Sequence, residues 1–207
     1  FPTRRSSDLL KLLQKAYNDQ VKLIYIDPPY NTGNDFVYND DFSDPLQHYL
    51  EVIRDKTGSL IALSAQLGAL LGKAEEKYQK PLGEYGELMG IAFQLSDDLI
   101  DIRSDSSDSG KQAGTDILAG VPTLPVILLA NHRDSASQSL LGQIREANGE
   151  SIASVLEDLR AHPVMTEAEE YTNTWAAKAI AAIDPLPAGS VKAALEAFAK
   201  AMVNRKG

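Results

Sequence analysis

Three aspartates, Asp97, Asp98 and Asp101, stand as D-D-x-x-D within the stretch Gly90–Asp101. Four residues apart on a helix, Asp97 and Asp101 share one face, and Asp98 flanks them. Like charges at that spacing repel, and a divalent cation would offset the repulsion. Mg2+ takes oxygen ligands, keeps several waters, and bridges one or two carboxylates to substrate phosphates. The bland alternative is an acidic, solvated face near a helix end. Lysines bear on the choice. Lys56-Thr57 lies upstream; downstream, the polar loop Ser104–Gly110 leads to Lys111, Thr115-Asp116 and Gly120-Val-Pro-Thr-Leu-Pro125. Around a metal-bound diphosphate, metals neutralise part of the charge and such lysines the rest. Taken singly, Lys56 reads as a surface lysine at a helix start, and Gln94 as a core-edge amide. A second constellation, Asp27-Pro28-Pro29-Tyr30, follows the apolar run Val21–Ile26. Its two prolines would end a strand there in any case.

These residues need elements to hold them. From about residue 51 onward apolar and small residues recur at helical spacing. Helices are expected over Thr57–Leu71, Gly83–Ile102, Pro122–Asn131, Ser135–Ala147, Glu150–Ala161, Thr166–Ile183 and Ala188–Val203. Gly110, Gly120, Pro163 and Pro185–Pro187 punctuate them. The expected fold is an all-α bundle. Residues 1–50 differ in composition: they hold one alanine, Ala16, yet eight of the fourteen Phe, Tyr and Trp side chains. A break of this kind marks a boundary. The first part reads as a helix, Leu9–Tyr17, then the strand Val21–Ile26, a short α/β segment with no second strand to pair with.

Composition narrows the function classes. The 207 residues are 43% apolar and 24% charged, the profile of a globular protein. No run of eighteen apolar residues predicts a membrane span, and Phe1-Pro2-Thr3-Arg4-Arg5 is not followed by a signal-peptide core. With zero cysteines there are no disulfides, thiolate metal sites or Cys nucleophiles. A cytoplasmic location is expected. The net charge of -9 argues against nonspecific nucleic-acid or anionic-membrane binding. Trp175 and the three histidines follow no pattern.

The order Phe93-Gln94-x-x-Asp97-Asp98-x-x-Asp101, Gly110-Lys111-x-x-Gly-Thr115-Asp116 and Gly-Val-Pro-Thr-Leu-Pro resembles the C-terminal half of a polyprenyl (trans-isoprenyl) diphosphate synthase. Leu186-Pro-x-Gly-x-x-Lys192-x-Ala-Leu-x-x-Phe198 and Arg205 resemble that family's last helix. The resemblance covers about residues 51–207. It implies an isoprenoid-synthase-type helical bundle, here partial, and a homodimeric enzyme that condenses an allylic diphosphate with isopentenyl diphosphate. By the same resemblance Asp97, Asp98 and Asp101 hold Mg2+, Lys56 and Lys111 contact the allylic diphosphate, and Thr57 and Gln94 line the carbocation region. The family's first Asp-rich motif, with paired arginines behind it, has no counterpart upstream of Lys56. Asp40-Asp41-Phe42-Ser43-Asp44 reads D-D-x-x-D but lies too close to Lys56, with Pro45 and no Arg pair after it. Val121 stands where many relatives carry lysine. The chain is therefore expected to be inactive alone.

Residues 10–50 have a resemblance of their own. Val21–Tyr30 with the following Asn-Thr-Gly-Asn-Asp-Phe looks like the catalytic motif region of an amino-DNA methyltransferase. There Asp27 accepts hydrogen bonds from the target amino group, Pro28 and Pro29 shape the loop, and Tyr30 stacks on a flipped base. No Gly-rich S-adenosylmethionine loop accompanies the motif, so it reads as vestigial and no nucleic-acid partner is expected. Residues 1–9 resemble the translation of a sequencing adapter. The chain reads as a chimera: 1–9 adapter-like, 10–50 methyltransferase-like, 51–207 prenyl synthase. Two other readings are a methyltransferase fragment and a non-catalytic helical subunit of a heteromeric prenyl synthase.

Overall fold

The computed structural model describes residues 44–104 and 113–205. The chain divides into two compact units, Phe1–Asn39 and Asp40–Gly207, and every described residue belongs to the second. The expected helix Leu9–Tyr17, the strand Val21–Ile26, the Asp27–Tyr30 motif and Lys111 lie outside the described residues.

Among the described residues there are helices and no strands. The order is α1 (Pro45–Ile53), a π-helical turn (Arg54–Gly58), α2 (Ser59–Leu71), a 3-10 turn (Glu76–Tyr78), α3 (Gln79–Arg103), α4 (Thr115–Leu118), α5 (Leu124–Asn131), α6 (Ser135–Arg145), α7 (Ile152–Ala161), α8 (Val164–Ala182) and α9 (Ser190–Val203). The all-α expectation holds. The seven expected helices appear with ends moved by up to four residues.

Two local readings change. The composition boundary at residues 50 and 51 falls inside α1, where Asp44 caps the N-terminus by accepting from the Leu46 and Gln47 amides. Pro45 then takes the first helical position, where its missing N–H costs nothing. The carboxylate of Asp44 is thus engaged in capping. Lys56-Thr57, expected at a helix start, sits instead in the π-helical turn. No proline follows Pro45 before α2 and no side chain caps the turn, so α1 runs on through a widened turn into α2, and the Ser59 amide bonds back to the Arg54 carbonyl.

Helix α3 is the axis of the bundle and is enclosed along most of its circumference. Its first half packs Tyr85 and Met89 with Ala179, Ile183, Leu186 and Ala199 of the α8–α9 region. Its second half packs Ile91, Leu95, Leu99 and Ile102 with side chains of α1 and α5–α8. Those four side chains are 5% exposed or less, and burial of each contributes roughly 1.5–3 kcal/mol. The repulsion of one like-charged i,i+4 pair costs roughly 0.2–0.5 kcal/mol. Packing therefore carries the Asp97–Asp101 pair without help from a cation.

The end of α3 is fastened by Arg160 of α7. Its Nε donates to the Ile102 carbonyl at 2.6 Å and its guanidinium to the Ser104 carbonyl at 2.9 Å. The chain returns at Gly114, with φ 72°, whose amide reaches the Asp101 carbonyl. Replacing Arg160 with Met keeps the apolar stem but strips donors from terminal carbonyls. A loss of about 1–3 kcal/mol in urea unfolding is expected.

Outside this core, α2 buries little. Leu63, Leu70 and Leu71 are 48–63% exposed. No helix among the described residues is long and apolar enough to cross a membrane.

Candidate functional site

The site is assembled where the π-helical turn crosses α3. Gly90 makes that crossing possible. A Cβ at position 90 would lie 2.6 Å from the Gly58 Cα and 3.0 Å from its nitrogen, so position 90 has no room for a side chain, whereas a Cβ at position 58 would meet the Glu87 carbonyl oxygen at 3.2 Å. Arg54 and Glu87 also bridge the crossing, at 3.4 Å, but this half-exposed pair is worth at most about 1 kcal/mol. The glycine contact sets the spacing. One turn further along, Thr57 Oγ1 donates to Gln94 Oε1 at 3.3 Å. These two expected site residues, distant in sequence, are brought together. Lys56 is exposed on the same π-helical turn.

The three motif aspartates take different environments. Asp98 points into the core and is 5% exposed. Its Oδ2 accepts from the Tyr49 hydroxyl at 2.5 Å and from the Leu124 amide at 2.8 Å. One carboxylate thereby ties α1, α3 and the start of α5 together. Burial raises its pKa to about 7, against the opposing pull of the Tyr49 and Leu124 hydrogen bonds; Asp116 and Asp97 add to the rise. Burial and the Asp98 carboxylate push the Tyr49 phenol up as well. Asp97 and Asp101 lie on the less enclosed side of α3 and are partly exposed. Asp97 Oδ1 accepts from the Arg205 guanidinium at 2.7 Å. Arg205 also lies over the Phe93 ring, 4.4 Å from its centre.

Tyr49 and Asp116 join this cluster without having been singled out as site residues. A tyrosine seven residues before Lys56 carries no local signal, because its role is a contact across 49 positions. Asp116 was visible only as part of Thr115-Asp116. Its place beside Asp98 depends on the left-handed turn at Gly114.

The donor set can be tested against a cation. Among the described residues no group of three or more His, Cys, Asp or Glu side chains is arranged as a metal cage. Asp97 and Asp101 instead offer hard oxygen donors from one helix face, while Oδ2 of Asp98 already accepts from Tyr49 and Leu124. Two carboxylates and no closed cage fit Mg2+, which completes its shell with waters and phosphate oxygens.

The polyprenyl synthetase family model matches residues 5–161. That match takes in residues 10–50 as well as the rest of α1 through α7. The nonaprenyl diphosphate synthase of Mycobacterium tuberculosis is 36% identical over 166 residues, 79% of this chain and 50% of that protein. Heptaprenyl diphosphate synthase component 2 of Bacillus subtilis is 33% identical over 162 residues, 78% of this chain and 46% of that protein. Among solved structures, geranylgeranyl pyrophosphate synthase from Corynebacterium glutamicum, complexed with calcium and isoprenyl diphosphate, superposes with a TM-score of 0.72 at 33% identity. It covers 82% of this chain and 53% of that one. The chain thus spans about half the length of the curated relatives it matches. Its helical architecture and its sequence agree, and the chain belongs to the polyprenyl synthetase family.

Proposed function

We propose that this bundle is the diphosphate-holding half of a prenyl chain-elongating enzyme, acting on an allylic diphosphate and isopentenyl diphosphate. The observation that carries the reading is the crossing itself: Asp97 and Asp101 share one face of α3, and the π-helical turn that crosses α3 carries Lys56 and Thr57, whose hydroxyl meets Gln94 of α3. Asp97 and Asp101 would hold Mg2+. Bound there, Mg2+ would act as a Lewis acid on the diphosphate leaving group. Asp98 fixes the helix and the start of α5 rather than binding metal. Lys56, with Lys111 outside the described residues, would meet the remaining phosphate charge as ammonium point charges. Thr57 and Gln94, holding each other through Oγ1 and Oε1, would line the space beside the reacting carbon.

On the family resemblance, the first Asp-rich motif and its arginines have no counterpart upstream of Lys56, so this chain is proposed to bind Mg2+-diphosphate weakly and not to turn over alone. The exposed leucines of α2 would be covered by a second copy in a homodimer, or would drive aggregation. The division at residue 51 is supported by the composition break alone; the family match over residues 5–161 runs across it. On that division residues 10–50, with Asp27–Tyr30, are a vestigial methyltransferase-like fragment in a chimera. A non-catalytic subunit of a heteromeric synthase is the second reading; the similarity to a protein named as one component of a synthase favours its heteromeric part alone.

Calorimetry of inorganic diphosphate, with and without Mg2+, tests the reading on the full chain. Mg2+-dependent binding is expected, and Asp97→Ala should weaken it at least tenfold, the scale of a lost charged ligand. Binding that ignores Mg2+, or that survives Asp97→Ala intact, would remove Asp97 from the site. Prenyl transfer at the rate of an intact synthase would overturn the claim of inactivity.

A further inference from the structure

We infer that Arg205 is an internal counter-ion that holds Asp97 until a cation displaces it. The inference rests on the proposed role of Asp97. Arg205 follows α9 and Asn204, and its side chain returns across the bundle to α3. Its guanidinium donates to Asp97 Oδ1 at 2.7 Å and, more weakly, to the Phe93 carbonyl at 3.4 Å. Its Nε donates to the Met202 carbonyl of its own helix at 2.9 Å. The guanidinium is stacked on Phe93. The planar group is thus pre-aimed at one oxygen of one aspartate.

A guanidinium and a dication cannot share that oxygen at these distances. The carboxylate has a second oxygen, Oδ2, but two positive groups brought onto one carboxylate repel wherever each sits. Cation binding and the Arg205 seat are therefore linked, and each weakens the other by the same factor. The factor is modest, because the Arg205 and Asp97 side chains are 31% and 39% exposed. A pair so placed shifts affinity by about two- to fivefold. A polar cavity of about 170 Å3 adjoins Arg205, lined in part by Ser96, Glu169, Thr172 and Asn173. Arg103 also lines it and already holds Glu169, so a displaced guanidinium would share that carboxylate with Arg103. Release of Arg205 would also loosen the end of α9 from α3, so that cation binding reaches the end of the last helix.

The test measures Mg2+-dependent binding of inorganic diphosphate to the full chain, with Arg205→Gln and Arg205→Lys beside the unmodified protein. Arg205→Gln should bind about two- to fivefold more tightly, and Arg205→Lys should fall between, since lysine keeps charge but loses the fork and the stacking. In the unmodified protein the Arg205 guanidinium NMR signal should change when Mg2+ and diphosphate are added together. Equal or weaker binding by Arg205→Gln, or an unmoved Arg205 signal at saturation, overturns the inference alone and leaves Asp97 as a ligand. If neither the unmodified protein nor Arg205→Gln binds, the proposed site falls and the inference with it.

Discussion

Stability should fall as pH rises from about 4 to about 7, and Asp98→Asn should flatten that fall. The folded pKa of Asp98 is about 7, raised first by burial, against an unfolded value near 3.8. Between these values the folded state binds a proton that the unfolded state does not. Unfolding then releases the proton, so stability decreases with increasing pH in that window. The contribution is fully present below about pH 4 and lost as pH passes through 7. Three pKa units correspond to about 4 kcal/mol as an upper limit. The Tyr49 hydroxyl and Leu124 amide oppose the effect, because both donate to the ionised carboxylate. In Asp98→Asn the amide oxygen keeps both donors and cannot titrate. Urea unfolding of both proteins at pH 4, 5.5 and 7 reads the difference directly. Parallel profiles for the two proteins would mean that Asp98 is ionised throughout, and that the raised pKa is wrong.

Gly90→Ala should destabilise the protein by about 2–3 kcal/mol, whereas Gly142→Ala should stabilise it by up to about 1 kcal/mol. Both glycines lie inside helices, so alanine gains the same intrinsic propensity at each. A Cβ at 142 meets nothing within 4 Å. A Cβ at 90 meets the backbone of Gly58 and the carbonyl carbon of Thr57. Backbone cannot rotate aside as a side-chain end can. Gly83 gives the contrast, since the three atoms nearest a Cβ there all belong to the exposed Gln66 side chain, which can swing aside, and Gly83→Ala should cost less than Gly90→Ala. Forcing the π-helical turn away from α3 must also pull Thr57 from Gln94, already at 3.3 Å. Gly90→Ala should therefore lose any Mg2+-dependent diphosphate affinity by more than its stability change alone explains. Thermal unfolding of the three variants, with binding measured well below each midpoint, checks both parts. A neutral Gly90→Ala would show that the crossing is looser than 2.6 Å implies.

Much of this arrangement was legible in the chain. Helical spacing of apolar residues placed seven helices, because a face that must be buried is written as a period. Asp97, Asp98 and Asp101 were visible as a cluster for the same reason, since a helix puts positions four apart on one side. The start of α2 was not legible. A π-helical turn differs from an α-helix by one residue's widening, and nothing in Arg54–Gly58 announces it without its neighbour Gly90. Nor was α1 expected, because residues 45–53 straddle the composition break and read as a junction.

By itself, then, the sequence determined the element type, the helix that carries the aspartates and the family resemblance, all of which rest on local periodicity and ordered short motifs. Only the tertiary structure decided what each aspartate does. Asp97 and Asp98 are adjacent, identical in type and indistinguishable by spacing, yet a rotation of one residue on α3 sends one toward Arg205 and the other into the core against Tyr49 and Leu124. That division of roles depends on which helix covers which side. Such contacts join residues from 26 to 108 positions apart, and no local pattern encodes a pairing over that distance.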